Sequence, residues 1–356
     1  MDKTLFDLYT DFLLSSFGPV TATNLSRLVD GAISHDQITR LLSGEPKRSV
    51  HLWQKVKPLV RAVESSDGVI IIDDSVSEKP YTDENELICW HWNYAENRSV
   101  KGINFLTAFY QVGQVGLPVA FDLVTKTETY LDPKTGKEKR RSTISKNERF
   151  RMLLRISVQN EIQFSYVLAD LWYASAENME FVVQTLKKHF VFPLKENRKV
   201  ALSEEDQNQG RFVAVDTLDL PAGQTRQIWL EDVPFALLLT KEVFTNKDGS
   251  TGVRYLVTDD LTLSYDQIIN LYKRRWSIEV YHESLKQNAS LEKSPTRTET
   301  TQRNHFFASL CAYVKLESLK IRTGINHFAL KSKIYLAALK VAYQEFVKLE
   351  PISLGA

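Results

Sequence analysis

Cysteine is nearly missing from this sequence: two thiols, Cys89 and Cys311, stand among 356 residues. Neither belongs to a CxxC pair, so a disulfide framework and a cysteine-rich metal site are both excluded, and a reducing cytoplasm is the expected compartment. Long apolar runs are missing as well. No stretch approaches the roughly 20 residues that cross a bilayer, which argues against a membrane span. The opening segment MDKTLFDLYTDFLLSSFG has acids in its first turns and no basic region before a cleavage site, unlike a signal peptide. Nor is there an excess of charge of one sign: 45 basic residues meet 44 acidic ones, for a formal net charge of +1. An overall positive field is therefore unavailable, and any phosphate-binding surface must come from local clustering. Repeats and low-complexity segments are also absent.

The composition that remains, 43% hydrophobic and 25% charged, is that of a globular chain long enough for two or three structural units. Basic residues do cluster locally. Lys134 to Arg151 holds eight of them, with Arg140 and Arg141 at the centre, against Glu138 and Glu148. A solvated loop and helix face is the plain reading of such a run, and a phosphate-binding patch is the functional one.

Residues 1–66 read as helical. Within them TATNLSRLVD and SHDQITRLLS flank Gly31, and Ser34 with Gln37 forms a capping box. A helix-turn-helix that reads DNA and an ordinary helical hairpin both fit this pattern. After Gly68 the pattern changes to a mixed α/β one, expected over 67–189. GVIIID is a short buried strand ending in acids, Asn104–Val112 and Leu117–Val124 are two more, and Ser145–Gln159 is a helix. Phe164–Ala169 is a further strand ending at Asp170, followed by a helix over Ala174–His189. Acids at strand ends are where such sheets build their sites. A β-rich insertion is expected over 190–262. Helical periodicity returns over 263–323, opened by a capping box at Ser264 and Gln267, and a helical C-terminal segment covers 324–356.

The sharpest feature is YKRRWSIEVYHESLK, Tyr272 to Lys286. At about 100° per residue, Tyr272, Arg275, Glu279 and Lys286 share one narrow strip of a helix. A carboxylate flanked by two cations and a phenol suits a phosphodiester site: the acid holds metal while the cations and hydroxyl grip phosphates. A salt-bridged surface helix fits the same spacing. Glu283 lies on that strip too, so helical geometry does not single out Glu279.

Tyr-x2-Arg-x3-Glu-x6-Lys resembles the signature of insertion-sequence DDE transposases of the IS-four group, and Tyr272, Arg275, Glu279 and Lys286 match it at every spacing. The likeness extends over about Gly68 to Leu319. IIIDDS resembles the family's first catalytic segment, where the Asp-x-Ser register selects Asp73 over Asp74. VLADLWY resembles the second, which selects Asp170. The resemblance implies a ribonuclease-H-like mixed sheet with a β-rich insertion and helical ends. It also implies Asp73, Asp170 and Glu279 as catalytic carboxylates and metal ligands for two Mg²⁺ or Mn²⁺ ions. The expected partners are DNA, as transposon terminal inverted repeats and target, and a second copy of the chain in a homodimer. The setting it implies is the bacterial cytoplasm, at the nucleoid when DNA-bound.

Tyr272, Arg275 and Lys286 are expected at the DNA backbone, and Trp276 and Trp229 are candidates for stacking an extruded base. His282 and His305 read as packing or helix-surface residues. Two rival functions use parts of the same pattern: a ribonuclease-H-like nuclease without strand transfer, and a domesticated DNA-binding protein without catalysis.

Overall fold

The computed structural model describes residues 3–93, 96–246 and 248–349, so 350–356 of the expected C-terminal segment lie outside the described residues. Four helices come first: α1 (Lys3–Ser15), α2 (Ala22–Leu28), α3 (His35–Ser43) and α4 (Ser49–Val63). Thr21 caps α2. Ser34 and Gln37 close the capping box of α3, whose Ile38, Leu41 and Leu42 face inward. Gly31 supplies the left-handed turn between the two helices, at φ +75°.

Beyond Gly68 the chain forms β1 (Val69–Glu78), β2 (Cys89–Asn93), β3 (Arg98–Val112) and β4 (Val115–Leu123). A separate hairpin of β5 (Glu128–Leu131) and β6 (Glu138–Arg141) follows, then α5 (Lys146–Gln159), β7 (Tyr166–Ala169), α6 (Ala176–Glu180) and β8 (His189–Leu194). β1 is antiparallel to β3 and β3 to β4, whereas β1, β7 and β8 run parallel to one another. Three antiparallel strands followed by two parallel ones, in the order β4-β3-β1-β7-β8, is the ribonuclease-H-like arrangement.

Several details differ from the sequence expectation: β1 runs past Asp73 and Asp74 to Glu78 instead of ending in its acids, and β3 begins at Arg98, ahead of Asn104. The helix expected over Ala174–His189 is shorter: α6 passes into one wide turn at Phe181–Thr185, and Lys187 at φ +55° ends it. β8, which the sequence reading puts at the start of the β-rich insertion, pairs with β7 in the core sheet.

The insertion itself is β9 (Lys199–Ala201), α7 (Glu204–Asn208), β10 (Val213–Ala214), β11 (Thr225–Leu230), β12 (Leu237–Thr245) and β13 (Thr251–Thr258). It widens the same sheet, because β13 pairs with β8. The chain then closes with α8 (Tyr265–Lys273), α9 (Trp276–Gln287), α10 (Glu299–Thr323) and α11 (His327–Leu349).

Why Val69–Ile72 is apolar without alternation follows from this layering: both faces of the sheet are covered. Val69 and Ile71 pack into the core that holds Tyr281, Leu285 and Phe306 of α9 and α10. Ile70 and Ile72 pack into the opposite core with Val60, Phe150 and Leu153 of α4 and α5. The two-residue period of a strand therefore sends Asp73 toward α9 and Asp74 toward α5. Helix α10 is buried nearly all round, which is why it lacks an amphipathic stripe. α11 lies outside, with Leu336, Leu339, Tyr343 and Phe346 exposed at spacings of three and four.

Register around β1 depends on a glycine. Gly102 of β3 sits opposite Glu78 on one side and Cys89 on the other. A Cβ there would lie 2.3 Å from the Ser77 carbonyl oxygen, a backbone atom that no rotamer change can move. Gly102→Ala is expected to destabilise the protein by roughly 1–3 kcal/mol through overpacking. Thermal denaturation checks this, and an unchanged Tm would show that β1 and β3 separate there without cost.

Candidate active site

The parallel pairing of β1 and β7 ends at Ile72 opposite Ala169, so Asp73, within β1, and Asp170, just past β7, lie at the same level. Adjacent strands lie about 4.8 Å apart, which brings the two acids side by side at the carboxyl end of the sheet. The chain after Asp170 turns at once into a short 3₁₀ turn, Leu171–Tyr173, and the Asp170 carboxylate accepts the Trp172 N–H at 2.9 Å.

Asp74 and Asp73 meet opposite fates. Asp74 accepts hydrogen bonds from the Tyr173 hydroxyl (2.7 Å), the Lys146 ammonium (2.8 Å) and the Asn104 amide (2.7 Å). Burial alone would raise its pKa, but Lys146, Asn104 and Tyr173 outweigh that and hold it below the usual carboxylate range. Its acceptor positions are taken by the protein. Asp73 accepts the Asp74 backbone N–H at 2.8 Å and faces one cation, Arg275, at 3.5 Å. Burial and the carboxylates of Asp170, Asp74 and Glu279 push Asp73 well above the usual range, opposed by Arg275.

The signature segment is two helices rather than one. Arg274, Arg275, Ser277 and Ile278 each donate their N–H to a carbonyl three residues back, a tight 3₁₀-like step that separates α8 from α9. The single strip expected from 100° periodicity is thereby bent. Tyr272 turns inward and is 5% exposed, its ring beneath the guanidinium groups of Arg254 (4.7 Å) and Arg275 (5.8 Å). It supports cations through its face. Arg275 bridges Asp73 and Glu279, at 3.5 and 3.2 Å. Lys286 donates to the Val76 carbonyl at 2.9 Å and lies 3.6 Å from Glu292, tying α9 to the outer half of β1. Glu283 points to solvent, where it accepts from Gln287.

Among the described residues, one group of potential metal-binding side chains brings its ligand atoms within 4.8 Å of one another: Asp73, Glu279 and His282. Asp170 stands beside this group on the next strand. The crowding of Asp73, Asp170 and Glu279 near a single bridging arginine, together with a buried imidazole nitrogen that has no hydrogen-bond partner, suits a divalent cation. His282, which the sequence reading places as a packing or helix-surface residue, is buried three positions after Glu279.

The remaining expected contacts divide by place. Trp276 is 66% exposed beside Arg275, and Trp172 is exposed beside Asp170. Trp229 sits half-buried in β11 opposite Ala201, far along the sheet. Arg140 and Arg141 lie on the β5–β6 hairpin, Arg140 at 3.6 Å from Glu84 and Arg141 at 2.8 Å from Glu128. The rest of the basic run is also largely paired: Lys139 with Asp132, Lys146 with Asp74, Arg149 with Asp122 and Arg151 with Glu177. The run is thus paired, but only its hairpin part is a solvated face, since Arg149 is buried against Asp122.

No match is found among curated proteins. Among solved structures the chain is similar to the Drosophila P element transposase strand transfer complex, at 15% identity and a TM-score of 0.23, over 46% of this chain and 33% of that one. It thus spans about a third of that chain's length. Residues 64–315 match the transposase DDE domain family, a span that contains both strand-end acids and the glutamate-bearing helix. With most of its length inside that match, the chain belongs to the transposase DDE domain family.

Proposed function

We propose that this protein is an insertion-sequence transposase of the IS-four group that cuts transposon ends and joins them to target DNA. Asp73, Asp170 and Glu279 are its catalytic carboxylates in this reading. The observation that carries it is the convergence of acids: Asp73 and Asp170 follow the last paired residues of the parallel strands β1 and β7, and Glu279 reaches within cation-sharing distance of Asp73. Asp73, Asp170 and Glu279 would hold the two Mg²⁺ or Mn²⁺ ions, which would supply activation of a water or 3′-hydroxyl and stabilisation of the leaving oxygen.

The protein's own residues orient the substrate. Arg275 neutralises Asp73 and Glu279 and, supported by the Tyr272 ring, is the cation nearest the acids for a scissile phosphate. Lys286 fixes α9 against β1, so Glu279 keeps its height relative to Asp73. Trp276 offers an exposed face on which an extruded base can stack. Arg140, Arg141 and Trp229 lie further out and serve DNA away from the cut. Helices α2 and α3 form the segment available for reading terminal repeats, and two copies of the chain bridge two ends as a homodimer.

The test is a paired-end DNA substrate incubated with the purified chain. Mg²⁺ is expected to give both cleavage and joined product, and chelation to abolish both. Cleavage without joining would select the nuclease instead, and cleavage that survives chelation would overturn the reading.

A further inference from the structure

We propose that His282 is itself a metal ligand, so that this centre has a mixed oxygen and nitrogen donor set. The proposal rests on the carboxylate reading above and extends it to a residue that the signature does not include.

Glu279 and His282 are separated by three residues on α9, which places them on the same helix face about one turn apart. Glu-x-x-His at this spacing is how helix-borne carboxylate centres recruit an imidazole beside a carboxylate. Here a ligand atom of His282 lies within 4.8 Å of those of both Asp73 and Glu279. The ring is held in place by hydrophobic contact. Phe105 of β3 meets it edge-on at 5.5 Å and 89°, Tyr281 packs against it at 5.2 Å, and Phe105 is in turn backed by Phe306 at 4.9 Å.

His282 is buried, and its Nε2 has no hydrogen-bond partner. Such an orphan normally destabilises the fold, so a native structure needs a use for it. The other buried histidines of this core have one. His305 takes the Tyr9 hydroxyl on Nδ1 at 2.9 Å and meets the Leu291 carbonyl with Nε2 at 3.1 Å. His327 has Ser284 on Nδ1 at 2.9 Å and the Glu317 carboxylate 2.8 Å from Nε2. His282 alone combines a rigid ring and an unpartnered nitrogen with two carboxylates as neighbours.

An imidazole in the set shifts preference from the hard Mg²⁺ ion toward Mn²⁺, which accepts nitrogen more readily. Pulsed electron paramagnetic resonance on the full chain loaded with Mn²⁺ reads this directly. The expected result is a ¹⁴N coupling of a directly bound imidazole, lost in His282→Gln together with at least about a tenfold drop in Mn²⁺ affinity. Bound Mn²⁺ with oxygen donors alone overturns the proposal and leaves the carboxylate reading standing. A nitrogen coupling that persists in His282→Gln also overturns it. Failure of the wild-type chain to bind Mn²⁺ at all sinks both. If the glutamine variant does not fold, the wild-type spectrum still decides, because His282 is the one histidine grouped with these acids.

Discussion

Asp73→Asn is expected to abolish metal-dependent cleavage while leaving the metal-free protein at least as stable as the wild type. The loss of activity follows from removing a ligand charge at the centre. Metal-borne charge stabilisation is worth several kcal/mol in a phosphoryl transfer, and about 4 kcal/mol corresponds to about 10³-fold in rate. Glu279→Gln should lose as much. The stability effect follows from burial together with the surrounding carboxylates of Asp170, Asp74 and Glu279, which raise the Asp73 pKa in the fold. A carboxyl with a raised folded pKa helps the folded state in acid. It loses that contribution as pH rises from the unfolded value near about 3.9 through the folded one. The neutral amide avoids this cost and still accepts the Asp74 N–H through its carbonyl oxygen.

Thermal melts in chelator should therefore show Asp73→Asn level with the wild type near pH 4 and above it at pH 8. Added Mn²⁺ should reverse the order, since ligand at about 100 times its Kd adds about 2.7 kcal/mol to the protein that binds it. A variant that melts below the wild type at pH 8 without metal would show Asp73 to be a stabilising ion-pair partner of Arg275 and nothing more.

The acids proposed as catalytic are unevenly legible. An apolar run closing on two aspartates cannot say which one faces the candidate site until the faces of the sheet are known. The sequence register chose Asp73, and the parity set by Ile71 and Ile72 in opposite cores supports that choice. The helical strip around Glu279 was legible as a pattern but not as a shape, because a 3₁₀-like step at Arg274–Arg275 leaves no mark on residue spacing. Glu283 fits the strip as well as Glu279 does, yet it faces Gln287 and solvent. Partners drawn from distant elements, such as Asn104 of β3 and Lys146 of α5 on Asp74, leave no mark on residue spacing either. His282 packs on Phe105 and Tyr281 as a histidine among aromatic residues is expected to, and its missing hydrogen-bond partner shows only in three dimensions.

The fold was more legible than its edges. Apolar runs with breaks at Gly68, Gly113 and Gly116 locate β4 at both ends, the start of β1 and the end of β3, but not the polar continuation of β1 to Glu78 or the first part of β3 from Arg98. β2 was missed, since Trp90 and Trp92 of CWHWN point outward and its pairing partner is the first part of a long β3. β8 was assigned to the insertion because a buried parallel strand and an antiparallel one look alike when both are short and apolar. Only the pairing with β7 distinguishes them.

Glu317→Ala should be among the most destabilising single changes in the chain, about 3–5 kcal/mol, because it breaks a buried charge network at one partner. Glu317 on α10 is 1% exposed. One carboxylate oxygen accepts the Gly116 N–H and the Lys320 ammonium, each at 2.9 Å, and the other lies 2.8 Å from His327 Nε2, at ion-pair distance but off the line of a hydrogen bond. His327 continues through Nδ1 to Ser284 of α9. The network thus joins the β3–β4 turn, α10, α11 and the helix that carries Glu279.

Burial alone would raise the Glu317 pKa, but His327, Lys320 and the Gly116 N–H outweigh it and hold the group below its usual value. A depressed folded pKa contributes stability above the unfolded value, near about 4.3, and that contribution is lost as pH falls through the folded one. At pH 7 the alanine variant should melt roughly 5–10 °C below the wild type, and the gap should narrow toward pH 3. Glu317→Gln should lose less, since its carbonyl still accepts the Gly116 N–H. Equal melting of wild type and Glu317→Ala at pH 7 would mean that α9 is held by apolar contact alone. Glu279 would then owe its position to Tyr281, which packs on Phe109 and Tyr313, each with ring centroids 4.8 Å away.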